Sequence, residues 1–198
     1  KAPANSPFIA KAATYFSESK FIFIIRDPRD VLTSHQRGTK AWMQGKNSQV
    51  DGCMDKLKTY YEGYSKAAHL SNVMLVRYED LHQNFSATLL SVFDFIGVDS
   101  TDELISNIYK KVNFSAQTSR ANKEDRSSAK RKGVIGDWGV NLTNNDKLWF
   151  QTNNFFLNFL KDHSYDMQEN TYANIIQAMV DADAYFIGED DLLARNLS

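Results

Sequence analysis

Two polar side chains follow a short apolar run near the start of the sequence. Residues 21–25 read Phe-Ile-Phe-Ile-Ile, Arg26 follows them directly, and Ser34 lies in the helical pattern beyond. Guanidinium N–H groups match phosphate oxygens two at a time, and a serine hydroxyl facing the same crevice can donate to the same phosphate. The pattern predicts a phosphate site. It leaves equally open a surface arginine paired with Asp27 or Asp30, beside a solvated serine.

A second cluster, from Arg131 to Trp138, contains two cations, two glycines and one aromatic residue. Glycines such as Gly133 let backbone N–H groups approach a phosphate closely, and the charges of Arg131 and Lys132 would neutralise it. The alternative is a solvated turn that Trp138 anchors in the core. The cluster ends a polar stretch, residues 115–133, whose composition predicts a loop that is mobile until a ligand binds.

Two aromatic residues are candidates for contact with a nucleotide. Tyr78 follows a second short apolar run, and its hydroxyl can bond to a base or ribose. Phe114 lies at the entrance to the polar loop and can stack on a nucleobase. Each also has an ordinary interpretation: Tyr78 as a cap on the core, and Phe114 as part of it. Glu79 and Asp80 are predicted to begin the next helix rather than to act as catalysts.

The elements that must position these residues alternate between strands and helices. Residues 20–25 are typical of a strand buried on both faces. Residues 72–81 contain a second short apolar strand, which again ends in an arginine. Asp27 as N-cap and Pro28 at the first helical position restart a helix after the first strand. Further helices are predicted over residues 6–16, 53–69, 84–98 (closed by Gly97), 101–111, 144–161 and 171–186. The pattern predicts an α/β fold, a three-layer domain with a central parallel sheet flanked by helices. Ligands bind such sheets at the carboxyl ends of their strands.

The composition excludes several classes of function. The 198 residues carry a net charge of −1, so no basic field indicates a nucleic-acid partner. Cys53 is the single cysteine, which excludes a disulfide framework and favours a reducing, cytoplasmic location. The Cys53 side chain is interpreted as a packed thiol. None of the four histidines shows metal-ligand spacing, so no metal is expected. No apolar run approaches the ~20 residues that span a bilayer, so no membrane partner is expected either.

Three separated segments together resemble the sulfotransferase family that uses 3′-phosphoadenosine 5′-phosphosulfate (PAPS): "FIFIIRDPRDVLTSH", "VMLVRYEDL" and "NKEDRSSAKRKGVIGDW". The resemblance covers roughly residues 1–160, which implies a sulfotransferase domain there, with residues 161–198 as its helical C-terminal extension. It implies PAPS as sulfuryl donor, no metal, and a small-molecule or carbohydrate acceptor with a hydroxyl or amine. It also implies cofactor-binding roles: at the 3′-phosphate for Arg26, Ser34, Arg131, Lys132 and Gly133, and at the adenine for Tyr78 and Phe114.

The sequence also departs from the family pattern. The family's lysine-containing loop of the Pro-Lys-Ser-Gly-Thr type, which holds the 5′-phosphosulfate, has no match within residues 1–198. "KAPAN" resembles a family stretch cut just after the Glu that would serve as general base. We therefore expect the loop and the base to precede Lys1, and the 198-residue chain alone to bind nucleotide weakly and to show no turnover. No catalytic residue is assigned. The family's dimer motif is not matched, so the oligomeric state stays open.

Other interpretations of the sequence remain. A non-catalytic nucleotide-binding or partner-binding module of the same fold is the main alternative to an enzyme. The interpretation as a nucleotide kinase is weakened because no G-x-x-x-x-G-K-[ST] segment is present in the sequence. If the phosphate hypothesis holds, Arg26→Ala should weaken nucleotide binding more than Arg29→Ala, because the Arg29 side chain is expected to face solvent.

Overall fold

The structure is a computed structural model that describes residues 3–39, 44–112, 117–118, 125–128 and 132–165. Its contacts divide the chain into two compact units, Lys1–Leu142 and Thr143–Ser198. Each unit is described by itself. Phe114, Arg131 and the helix predicted over residues 171–186 lie outside the described residues, as does most of the predicted loop.

The first unit contains a parallel pair of strands. Strand β1 (Phe21–Ile25) pairs with β2 (Val73–Arg77), with Phe21 opposite Val73 and Ile25 opposite Arg77. The described part of the connection between them is helical, in keeping with the long crossover that a parallel pair needs. This confirms the predicted α/β class. The helices of the first unit are α1 (Ile9–Tyr15), α2 (Pro28–Arg37), α3 (Val50–Ser65), α4 (Asp80–Gln83), α5 (Phe85–Ile96), α6 (Asp102–Val112) and α7 (Trp138–Asn141), with 3₁₀ turns at Pro3–Phe8 and Gly45–Ser48.

The two faces of β1 differ in exposure. Phe23 and Ile25 are buried, and the Phe23 ring stacks on Tyr64 of α3 at 5.0 Å between centroids. Ile22 and Ile24, which alternate with them, are 41% and 53% exposed. The prediction that this strand is buried on both faces is therefore wrong, because only the face packed against α3 is covered. An apolar run does not by itself distinguish one buried face from two.

The N-terminal segment packs closely against α3. A Cβ atom at Gly63 would overlap the carbonyl oxygen of Ser6, so only glycine permits this approach. In the helix predicted over residues 6–16, Ser6 followed by Pro7 is a capping pattern, but Pro7 lies inside the Pro3–Phe8 3₁₀ turn, and α1 begins at Ile9. Because the backbone of the Ser6–Pro7 segment is what contacts α3, tertiary packing overrides the capping pattern here.

The start of α2 follows the prediction, but its charged residues are buried. Asp27 is the N-cap and accepts the N–H of Arg29 at 2.9 Å, with Pro28 in the first turn. The Arg29 guanidinium donates to both carboxylate oxygens of Asp27, and it lies 3.7 Å from the centroid of the Trp138 ring. Arg29 is 1% exposed. The expectation that its side chain faces solvent is therefore wrong, because Asp27 and Trp138 enclose it.

Two later helix ends show how local chemistry sets boundaries. Gly97 closes α5 in the left-handed conformation at φ +72°, as predicted. In the second unit, the single helix predicted over residues 144–161 is two, α8 (Asn144–Thr152) and α9 (Asn154–Asp162). The break occurs because the Asn153 side chain accepts the N–H of Phe156 and caps the second helix. Among the helices of the described residues, none is both long and apolar enough to cross a membrane.

Replacing Arg29 by methionine should destabilise the chain strongly. The substitution leaves the buried Asp27 carboxylate without its cation, a loss typically worth about 3–5 kcal/mol. Lys58→Met is the matched control, because Lys58 is about half exposed and pairs loosely with Glu62 at 3.8 Å. We expect the control to change the free energy of unfolding by less than about 1 kcal/mol. Urea unfolding of the wild type and the two variants measures this. Equal midpoints for the two variants would contradict a stabilising role for the buried Arg29–Asp27 ion pair.

Candidate functional site

The carboxyl ends of β1 and β2 hold the residue after each strand in a fixed place. The backbone N–H of Tyr78 donates to the carbonyl of Ile25 at 2.8 Å, which extends the pairing by one residue. The buried Tyr61 hydroxyl donates to the carbonyl of Arg26 at 2.8 Å. The N–H of Asp27 in turn donates to the buried Glu79 carboxylate at 3.0 Å. The backbone at the start of the candidate site is therefore held from three sides.

The Arg26 side chain joins two segments that the sequence analysis singled out separately. Its guanidinium lies 4.6 Å from the centroid of the Tyr78 ring. Its Nη2 donates to the carbonyl of Val134, next to Gly133, at 2.9 Å. The same nitrogen is 3.6 Å from Asp30. The ion pair with Asp30 that the sequence left open is therefore present, but the Arg26 side chain is only 25% exposed.

A buried donor of Arg26 has no acceptor among the described residues. This donor is the Nε of the guanidinium. A buried N–H group without an acceptor is costly and uncommon, so an unfilled donor at a candidate phosphate site is a physical reason to expect an acceptor there.

The glycine-containing segment, residues 132–138, is tied to α2. Gly133 and Gly136 have φ of +66° and +72°, a backbone conformation that other residues adopt only at a cost. The Asp30 carboxylate accepts the N–H of Gly136 at 2.8 Å and that of Trp138 at 2.9 Å. The Lys132 ammonium is 2.6 Å from the buried Asp137 carboxylate. Both glycines of the predicted cluster therefore serve the local backbone geometry.

Electrostatics at this edge follow from burial. Burial raises the pKa of the Asp30 carboxyl, and the Arg26 guanidinium and the Trp138 amide only partly oppose that shift. Burial likewise raises the pKa of Tyr78, which stays a neutral phenol and hydrogen-bond donor at physiological pH. His82 lies beside it, with ring centroids 4.5 Å apart. His82 remains exposed overall, but the partial desolvation of its ring and the Arg26 charge both lower its pKa.

The other predicted site residues are less closely connected. Ser34 is half-buried on α2, and no hydrogen bond within the described residues joins it to Arg26. Phe114 and Arg131 lie outside the described part of the chain. Their roles, and that of Ser34, stay predictions.

Sequence reasoning predicted only part of what builds the site from behind. It offered Asp30 as an ion-pair partner of Arg26 and Trp138 as a core anchor of the turn, but not Asp30 as the acceptor of the segment's amides or Tyr61 as the donor to the Arg26 carbonyl. One signal was available for Asp30: it lies four residues after Arg26, one helical turn along, and the N-cap role was already filled by Asp27. Tyr61 gives no comparable signal, since a tyrosine on a helix is most often ordinary core.

With this geometry established, comparison with known proteins identifies the family. A sequence model of the sulfotransferase domain matches residues 6–163. The chain belongs to the sulfotransferase domain family. It is 27% identical over 152 residues to sulfotransferase 6B1 of Danio rerio, a match that covers 69% of this chain and 49% of that protein. The chain thus spans about half the length of the curated relatives it matches. The resemblance inferred from three short segments is confirmed.

Solved sulfotransferases share the fold. Mouse sulfotransferase SULT7A1, complexed with PAP, superposes with a TM-score of 0.58 at 22% identity, covering 78% of this chain and 66% of that one. Retinol dehydratase, in complex with androsterone and the inactive cofactor PAP, gives 0.56 at 21% identity, covering 72% and 48%. At these identities the similarity establishes the fold.

The contact of Tyr78 with both Arg26 and His82 has a consequence for pH dependence. Because the folded chain lowers the pKa of His82, the unfolded chain binds the proton more tightly, and stability should rise with pH up to the ordinary value of about 6.5 and then level off. NMR titration should place the His82 inflection below that value, and His82→Gln should remove its part of the stability rise. His69→Gln, at an exposed position, is the control and should leave that part in place. A His82 inflection at or above the ordinary value would contradict the arrangement.

Proposed function

We propose that this sulfotransferase-family chain acts in sulfuryl transfer from PAPS, and that Arg26 holds the donor's 3′-phosphate. The observation that carries the proposal is the strand-end guanidinium, whose Nε is buried without an acceptor among the described residues. It lies beside Tyr78 and the Gly133 segment in a chain of this family. Two structural relatives are complexes with PAP, the desulfonated form of the donor. A non-catalytic module is the less favoured alternative.

The residues present fit the nucleotide end of PAPS. Arg26 supplies positive charge, as does Lys132, whose ammonium is paired with Asp137; the positive φ of Gly133 turns the backbone tightly, and the Tyr78 ring offers an apolar face. Ser34, Arg131 and Phe114 are proposed to join them on the strength of the family pattern alone. When bound, PAPS supplies the activated sulfuryl group, and these residues bind and orient the donor. The proposal assigns binding roles and no general base.

The acceptor is proposed to be a small molecule or carbohydrate with a hydroxyl or amine. Support comes from the fold relative retinol dehydratase, whose complex contains androsterone. A reducing, cytoplasmic location is proposed because the sequence has a single cysteine, Cys53, and so no disulfide framework. Burial raises the pKa of Cys53 to about 12, which makes it an unreactive thiol.

Nucleotide selectivity tests the proposal directly. The chain should bind 3′-phosphoadenosine 5′-phosphate (PAP) at least about tenfold more tightly than AMP, since a charge-assisted hydrogen bond is worth roughly 1.5–3 kcal/mol. Arg26→Ala should remove most of this preference. Arg26→Lys should keep only part of it, because an ammonium cannot bond to two phosphate oxygens in one plane. Titration calorimetry of each variant with both nucleotides measures the effect.

Two controls sharpen this experiment. Adenosine 2′,5′-bisphosphate has the charge and composition of PAP with one phosphate moved, so weaker binding of this isomer separates recognition from bulk attraction. Lys66→Ala removes a cation from an exposed position at the end of α3 and should leave the preference unchanged. Equal affinities of the wild-type chain for PAP and AMP would refute the 3′-phosphate assignment.

A further inference from the structure

We infer that Asp30 is a positioning residue for the nucleotide phosphate, because one buried carboxylate holds both Arg26 and the glycine segment at residues 132–138. The inference deepens the proposed function and rests on it. Asp30 is acidic, so it would repel a phosphate if it faced one; its contribution is made from behind the donors. Its side chain is 0% exposed.

The contacts of Asp30 and Arg26 with the glycine segment form a closed ring of interactions. One carboxylate oxygen accepts the Gly136 N–H and lies 3.6 Å from Arg26 Nη2, while the other accepts the Trp138 N–H. Arg26 Nη2 returns to the same segment through the carbonyl of Val134. Each link fixes the next, so the arginine and the segment cannot shift independently of each other.

Because of these contacts, a substitution of Asp30 should destabilise the arrangement of Arg26 and the glycine segment. Without the carboxylate, two backbone N–H groups lose their acceptor and Arg26 loses its neighbouring charge. The segment that carries Lys132 and Gly133 would then no longer be held at a fixed position beside the strand end. Donors misplaced by about 1 Å lose much of a charge-assisted bond, so selectivity for the 3′-phosphate should fall before the fold fails.

A glycine pair provides a matched test that leaves every charge in place. Gly136 and Gly97 both have φ of +72°, and a Cβ atom would meet nothing within 4 Å at either position. Alanine is therefore disfavoured at both positions by the same φ, and at neither by a steric clash. Gly136→Ala disturbs the amide that Asp30 holds, whereas Gly97→Ala disturbs the end of α5. We expect Gly136→Ala to weaken PAP binding roughly tenfold and Gly97→Ala to leave it within about twofold.

Asp30→Asn tests the carboxylate itself. The amide keeps the shape but has one acceptor oxygen for two N–H donors, and it lacks the charge beside Arg26. We expect Asp30→Asn to weaken PAP binding roughly tenfold while AMP binding changes by less than about twofold, measured by calorimetry on variants with a cooperative unfolding transition. The PAP-to-AMP ratio is the deciding quantity, since a residue that only stabilises the fold would affect both nucleotides equally.

The outcomes separate the two proposals. If the wild-type chain does not prefer PAP, the proposed function itself is overturned. If the wild type prefers PAP and both Asp30→Asn and Gly136→Ala keep that preference, only the positioning role is overturned. Equal losses for PAP and AMP, or an equal loss in Gly97→Ala, also overturn it. If Asp30→Asn does not fold, the comparison of Gly136→Ala with Gly97→Ala still decides.

Discussion

The start of α2 depends on a cation buried between a carboxylate and an indole ring. Arg29 bonds to both oxygens of Asp27 and covers the face of Trp138, and all three residues are nearly inaccessible to solvent. Burying charges is costly unless they are paired and hydrogen-bonded, so this arrangement constrains everything that touches it. It fixes the first turn of α2 against the segment that contains Trp138, which the sequence places far away.

Because Arg29 occupies Asp27, the Arg26 side chain is left at the strand end. The residues of the charged run Arg-Asp-Pro-Arg-Asp have different partners. Asp27 and Arg29 form the buried ion pair, and Asp30 accepts two amides of the glycine segment. Arg26 remains at the strand end, a quarter exposed, with one donor unfilled among the described residues. The residues that hold the backbone from behind and the residue proposed to face the ligand thus come from one short stretch.

The parts of this arrangement that the sequence predicts are the local ones. The Asp27 cap, the Pro28 start and the Gly97 end follow from the backbone preferences of those residues, and all three are present. The burial of Arg29 could not be predicted in the same way, because its aromatic neighbour lies in another segment. The contact between Asp30 and Trp138 spans 108 residues, and no local pattern encodes such a pairing. Family resemblance identified Arg26, but only the fold identifies what holds it.

The central claim is that these buried charges bring the strand end and the glycine segment together as one phosphate site. A crystal structure of the chain with PAP tests this most directly. The account predicts the 3′-phosphate oxygens within about 3 Å of the Arg26 guanidinium and of donors in the Lys132–Gly133 segment, with Arg29 still bonded to Asp27. A 3′-phosphate bound away from Arg26, with the contacts of that arginine to Val134 and Asp30 unchanged, would contradict it.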